Sequence, residues 1–243
     1  MQAFARSQML LGKPGMDALA AAHVAVFGVG GVGSFAAEAL ARAGIGTLTL
    51  VDHDVVSASN LNRQLVALHS TLGQPKVEAM RARALDIHPQ MTVHALPLFY
   101  APENAADIDL AAFDYIVDAI DTVSSKVHLI VGAKEAGTPI VSCMGAGNRL
   151  DPTRFEVVDL WSTRGCPLAR ALRKELRARG VGELAVVHST EPPRKPLPAQ
   201  DTGGDEGPRR AAPGSVPFVP PVAGMIAAGV AVRGLAGLPQ HDA

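Results

Sequence analysis

The chain has 243 residues, 48% of them apolar, a formal net charge of −1 and two cysteines, Cys143 and Cys166. The near-neutral balance excludes a global basic field for nucleic acid, so any RNA contact must come from a local patch. Two cysteines without CxxC spacing exclude a four-cysteine zinc site and argue against a disulfide scaffold, so no zinc is expected and the compartment reads as reducing and cytoplasmic.

Met1 to Leu11 carries no basic-then-apolar leader pattern. His23 to Phe27 is a short apolar strand, followed by Gly28-Val-Gly30-Gly31-Val-Gly33 and an alanine-rich helix over Ser34 to Ala43. Thr47 to Asp52 is a second buried strand with an acid at its end, which completes a βαβ unit. A helix over Lys76 to Ile87, a strand over Thr92 to Leu98 and a buried strand over Asp114 to Asp118 come next. Ser125 to Ala136 reads as a helix stopped by Gly137, and Pro139 to Ser142 as a further strand. Phe155 to Leu160 and Ala185 to Ser189 read as strands, with a helix over Pro167 to Arg179 between them. This alternation predicts an α/β fold: a Rossmann-like, doubly wound, mostly parallel sheet with helices on both faces and a C-terminal extension. Residues 1–190 read as one α/β domain, 191–217 as a mobile Pro/Gly/charged loop, and 218–243 as an apolar helix packed on the domain or at a dimer interface. Val216 to Leu238 is apolar enough to suggest a membrane span. Its prolines leave only Val222 to Val232 uninterrupted, which is short of the ~20 residues that a span needs, so no membrane insertion is expected.

The glycine loop offers backbone N–H groups and a helix N-terminus to negative charge, and Asp52 stands where an acid accepts ribose hydroxyls. A dinucleotide enzyme would look the same to this point. A triphosphate also needs cations, and Arg63 and Lys76 can supply them, with Asp54, Asn60 and Gln64 as further polar contacts. Asp118-Ala-Ile-Asp121 ends a central strand; Asp121 is the expected Mg²⁺ ligand and Asp118 the structural acid.

In order and spacing, the glycine loop, Asp52-x-Asp54, Asn60-x-Asn62-Arg63-Gln64, Lys76 and Asp118-x-x-Asp121 together resemble the ThiF/MoeB/ubiquitin-activating superfamily. The resemblance implies ATP and Mg²⁺ as cofactors, a ribose contact at Asp52, phosphate contacts at Arg63 and Lys76, and magnesium at Asp121. It also implies a homodimer in which Arg6 reaches the partner's ATP. Three stretches, Ala36 to Gly46, Met144 to Arg154, and Pro167 to Glu191, are similar to the branch that dehydrates threonylcarbamoyladenosine in tRNA. That branch implies tRNA as partner, and a sulfur-relay protein as a further one. Cys166 departs from it, standing where an Asp-Pro pair is usual. The implied chemistry is activation of the threonyl carboxylate on ATP and ring closure by a neighbouring atom, so no enzyme nucleophile is needed. Proton acceptors for that closure are sought among His53, His69 and His128.

Arg170, Arg173, Lys174 and Arg177 fall on one helix face and form a stripe that suits an RNA backbone or a solvated surface. Arg194, Lys195, Arg209 and Arg210 add a basic arm. Two alternatives stay open: activation of a sulfur-carrier or ubiquitin-like C-terminus, against which the missing CxxC pairs count, and an NAD-dependent oxidoreductase, which gives Arg63, Lys76 and Asp121 no necessary task.

Overall fold

The computed structural model describes residues 3–197 and 213–239. Seven strands, β1 His23–Phe27, β2 Thr47–Val51, β3 Thr92–Leu96, β4 Tyr115–Asp118, β5 Ile140–Cys143, β6 Phe155–Asp159 and β7 Ala185–Ser189, form one sheet in the order β3-β2-β1-β4-β5-β7-β6. Every neighbouring pair is parallel except β6 with β7. Parallel neighbours need long crossovers, and these are supplied chiefly by α2 Gly33–Ala43, α3 Lys76–Ile87, α4 Val123–Ala136 and α5 Pro167–Arg177.

The apolar runs of the strands exist because both faces of the sheet are covered. Successive residues of β1 enter opposite cores: Val24 and Val26 join one cluster with α2, while Ala25 and Phe27 join another with α4 and α5. The strand order reverses between β1 and β4, which opens a crevice beyond their C-terminal ends where ligands of such sheets bind.

The apolar C-terminal segment forms α6, Pro220–Leu235, with prolines in its first turn, where a missing N–H costs nothing. Among the described residues no helix is long and apolar enough to cross a membrane. Instead, Ala223, Ala227, Ala228 and Ala231 are buried in the first core beside α2. The small residues let the two helices approach closely. A Cβ on Gly224 would lie 2.1 Å from the Val32 carbonyl oxygen, so only glycine fits there.

One sequence expectation changes. The sequence assigned no element before β1, yet α1 spans Ala5–Ala21. The helix kinks at Gly12, with φ +67°, and continues with Pro14. Of the segment 191–217 expected as a mobile loop, residues 198–212 lie outside the described residues, and its two ends are hydrogen-bonded to the domain. The Glu191 carboxylate accepts the N–H groups of Leu150 and Asp151. Gly214 exchanges two 2.7 Å hydrogen bonds with Asn148, and Asn62 Nδ2 donates to the Ser215 carbonyl at 3.0 Å. Arg209 and Arg210 of the expected basic arm lie outside the described residues.

Candidate active site

A cavity of about 450 Å³ lies at the crevice between β1 and β4, within the ~300–1,000 Å³ usual for small-molecule sites. Its wall begins with the glycine loop. Gly28, Gly30 and Gly31 line it, whereas Gly33 does not; Gly33 instead closes the loop against the strand, since a Cβ there would meet the Gly28 carbonyl oxygen at 1.7 Å. A Cβ on Gly30 would meet only Gln64 Nε2, at 3.8 Å, so the space above the loop is open to a ligand.

The predicted polar residues converge on this space: Asp52, Asp54, Asn60, Arg63, Gln64, Lys76 and Asp121 all line it. Asp52 is held rigidly, accepting from Val29 N–H at 2.6 Å and Asp54 N–H at 2.8 Å. The Arg63 guanidinium is braced by the Ser59 carbonyl and the Asn62 side chain, at 2.9 and 3.0 Å. The Lys76 side chain is only 5% exposed, and its ammonium donates to Asp54 Oδ2 at 2.7 Å. Asp54, expected as a contact to nucleotide, is thus occupied with a lysine, and His53 Nε2 stands 3.2 Å from its other oxygen. Asn60 caps its own turn through Ser57 N–H, while Gln64 Oε1 is buried with no hydrogen-bond partner among the described residues. Asp121 is exposed at the rim, where among the described residues its carboxylate accepts one hydrogen bond, from the Thr122 hydroxyl at 3.4 Å.

This donor set fits a nucleoside triphosphate. Two cations and a helix N-terminus are of the kind that binds anionic oxygens, an anchored carboxylate can accept from hydroxyls, and one acid at the rim suits a hard cation.

Asp118 is fully buried and does not line the cavity. Its Oδ2 meets Lys126 Nζ at 2.9 Å and accepts the Ser142 hydroxyl at 2.7 Å. Lys126 also donates to the Ile120 carbonyl at 3.0 Å, which fixes the loop that carries Asp121. Of the three histidines considered, only His53 lines the cavity. His69 stands on an exposed turn, and His128 meets the Tyr100 hydroxyl at 3.4 Å. Arg6 is exposed on α1 and does not line the cavity of its own chain. Cys143 does line it, but burial pushes its thiol up to about 12, which leaves it protonated. Cys166 is the N-cap residue of α5 and makes no side-chain cap bond; an acid there would accept a free helix N–H.

The basic stripe on α5 divides. Arg170, Lys174 and Arg177 are exposed, but Arg173 is half-buried and donates to the Thr163 carbonyl at 2.9 Å and to the Thr163 hydroxyl. The sequence missed the far walls of the cavity: Leu98 to Tyr100 after β3, Gly145 to Gly147 after β5, and Pro213, Ser215 and Pro220. Gly145 to Gly147 fall in a stretch that resembles the branch, but nothing in the sequence places that stretch at the cavity, because these walls meet only through the fold.

The ThiF family profile matches residues 4–242. The chain belongs to the ThiF family. Within that family it is 45% identical over 239 residues to a tRNA threonylcarbamoyladenosine dehydratase of Bacillus subtilis, covering 96% of this chain and 94% of the relative. A dehydratase of the same name from Escherichia coli is 41% identical over 198 residues, 78% of this chain and 74% of its own length. The solved structure of the E. coli enzyme, TcdA, in complex with ATP matches with a TM-score of 0.88 at 36% identity, over 97% of this chain and 94% of that one. Both the superfamily and the branch read from the motifs are borne out. The E. coli molybdopterin-synthase adenylyltransferase matches less of the chain, at 39% identity over 143 residues, 56% of this chain and 54% of its own.

Proposed function

We propose that this protein is an ATP-dependent tRNA threonylcarbamoyladenosine dehydratase. The carrying observation is end-to-end similarity to enzymes of that name, joined to a cavity at the sheet's switch point that holds the cations and acids an adenylating enzyme needs.

The substrate's threonyl carboxylate attacks the α-phosphorus of ATP; a new P–O bond forms and pyrophosphate leaves. A neighbouring atom of the same side chain then attacks the activated carbonyl, a five-membered ring closes and AMP departs, so the net loss is one water. Arg63 and Lys76 balance the charge that shifts onto the leaving pyrophosphate, in a site where water competes little. Asp52 orients the ribose, and Asn60 and Gln64 supply amides along the same wall. Asp121 would hold Mg²⁺, which would neutralise phosphate charge. Intramolecular closure gains an effective molarity of about 10⁵ M or more, so a covalent enzyme intermediate is unnecessary. The protonated Cys143 agrees with this. In a homodimer Arg6 would complete the partner's site. A tRNA substrate supports a cytoplasmic location.

The deciding experiment is nucleoside mass spectrometry on threonylcarbamoylated tRNA after incubation with the protein and Mg-ATP. A loss of about 18 Da, with AMP and pyrophosphate formed, is expected. Arg63→Ala and Lys76→Ala should each reduce turnover by roughly 100-fold or more with the fold retained. Two fully active variants would remove the phosphate assignment. No mass change, together with ATP–pyrophosphate exchange driven by a small carrier protein, would move the site to the sulfur-carrier branch.

A further inference from the structure

The α5 surface carries four cations along one open groove, lined by Arg170, Arg173, Lys174, Arg177 and Ala178. No acid lines it; Glu175, the acid within the helix, is held by Arg179 at 2.9 Å. Two of the cations are fixed by the protein. Arg173 is anchored on Thr163, and Arg177 lies over the Trp161 ring at 5.3 Å, with the indole N–H in turn donated to the Gly182 carbonyl at 2.7 Å. The side chains of Arg170 and Lys174 make no hydrogen bond or ion pair among the described residues, and both are exposed.

Position gives this groove its meaning. Leu168, in the first turn of α5, lines the nucleotide cavity, so the helix starts at the cavity wall and the cations follow along its length. From Arg170 to Arg177 the helix rises about 10 Å, seven steps of ~1.5 Å. That matches on the order of three nucleotides of a stacked strand at ~3.4 Å each.

We propose that the α5 groove is the phosphate-backbone track of the RNA substrate. It would lead the strand that flanks the modified nucleoside away from the cavity, with Arg170 and Lys174 making phosphate contacts and Arg173 and Arg177 holding the groove's shape. The proposal rests on the dehydratase reading for the identity of the RNA. A polyanionic strand is the occupant that four cations without an acid complement, and an ordinary solvated face would not require two of them to be clamped.

The test uses the full-length protein and fluorescently labelled tRNA, with affinity measured by anisotropy over a salt series. The double variant Arg170→Ala/Lys174→Ala should bind about tenfold more weakly, and the magnitude of its log–log salt slope should fall by about 2, one per lost phosphate contact. The charge-keeping pair Arg170→Lys/Lys174→Arg should retain both affinity and slope. ATP-dependent turnover of the free threonylcarbamoyladenosine nucleoside should be the same in the double variant and the native protein, because a nucleoside has no backbone to track. Unchanged tRNA affinity and slope in the double variant would overturn the proposal, as would equal losses on tRNA and free nucleoside. If the native protein dehydrates neither substrate, the dehydratase reading fails, and the tRNA-binding comparison still decides the groove.

Discussion

An ammonium with 5% exposure is stable only beside a counter-charge, and Lys76 has one in Asp54 at 2.7 Å. The contact fixes the direction in which the cation points into the cavity. Asp54→Asn should therefore raise the KM for ATP about tenfold while kcat moves less, because a half-exposed carboxylate is being replaced rather than a buried one. Asp54→Glu should recover most of the loss, and thermal unfolding should stay close to the native value. An unchanged KM would show that Lys76 holds its place without the acid. The sequence placed Asp54 and Lys76 in one site because both belong to a spaced motif, but spacing does not reveal which cation an acid serves. The same limit applies to Lys126. It reads as one more helix lysine, yet the fold buries it completely against Asp118. Arg173 is the reverse case, a stripe residue whose guanidinium turns back onto Thr163.

At the scale of elements, strands and crossover helices were legible because each carries a period or a stop signal; β7 and α3 match the sequence reading end for end. The first helix was not, because Gly12, Pro14 and Gly15 mark a turn to any local reading and only packing lets the chain resume its helix. The docking of α6 was equally hidden. It depends on Gly224 lying against the Val32 carbonyl, a contact between residues far apart in sequence. Gly224→Ala should cost about 3 kcal/mol or more, since backbone meets the new methyl and neither helix can yield cheaply. Urea unfolding would measure that cost. Val32 lies within the nucleotide loop and lines the cavity, so ATP affinity should fall as well. A variant with native stability and native affinity would mean that α6 floats on α2 rather than bracing it.

For the molecule as a whole, the response to acid follows from groups that the two cores enclose. Burial, followed by the neighbouring His94 charge, holds His23 below its ordinary 6.5; burial, followed by the Arg149 charge, does the same for His188. Burial alone would raise the Glu38 carboxyl, but hydrogen bonds and charge from Arg83 and Arg42 outweigh it and hold the group below its ordinary 4.5. In each case the unfolded chain binds the proton more readily. Stability is full above pH 6.5, first declines as the histidines must charge, and declines again as pH falls below 4.5 toward the folded value for Glu38. Denaturant unfolding between about pH 8 and about pH 4 should trace this two-step loss. Glu38→Gln should flatten the lower step and cost about 1–2 kcal/mol at neutral pH, less than a fully buried pair because Arg83 and Arg42 are 41% and 58% exposed. Equal acid profiles for variant and native protein would refute the assignment. A mostly parallel sheet covered by helices was readable from alternation, whereas the completeness of its cavity was not, because Pro220 and Ser215 arrive from a segment far along the sequence. That arrangement sets an order on biosynthesis. The glycine loop leaves the ribosome well before its brace, which is made only when translation has passed Leu235. A nascent chain stalled short of that point should carry the nucleotide fingerprint without holding the nucleotide.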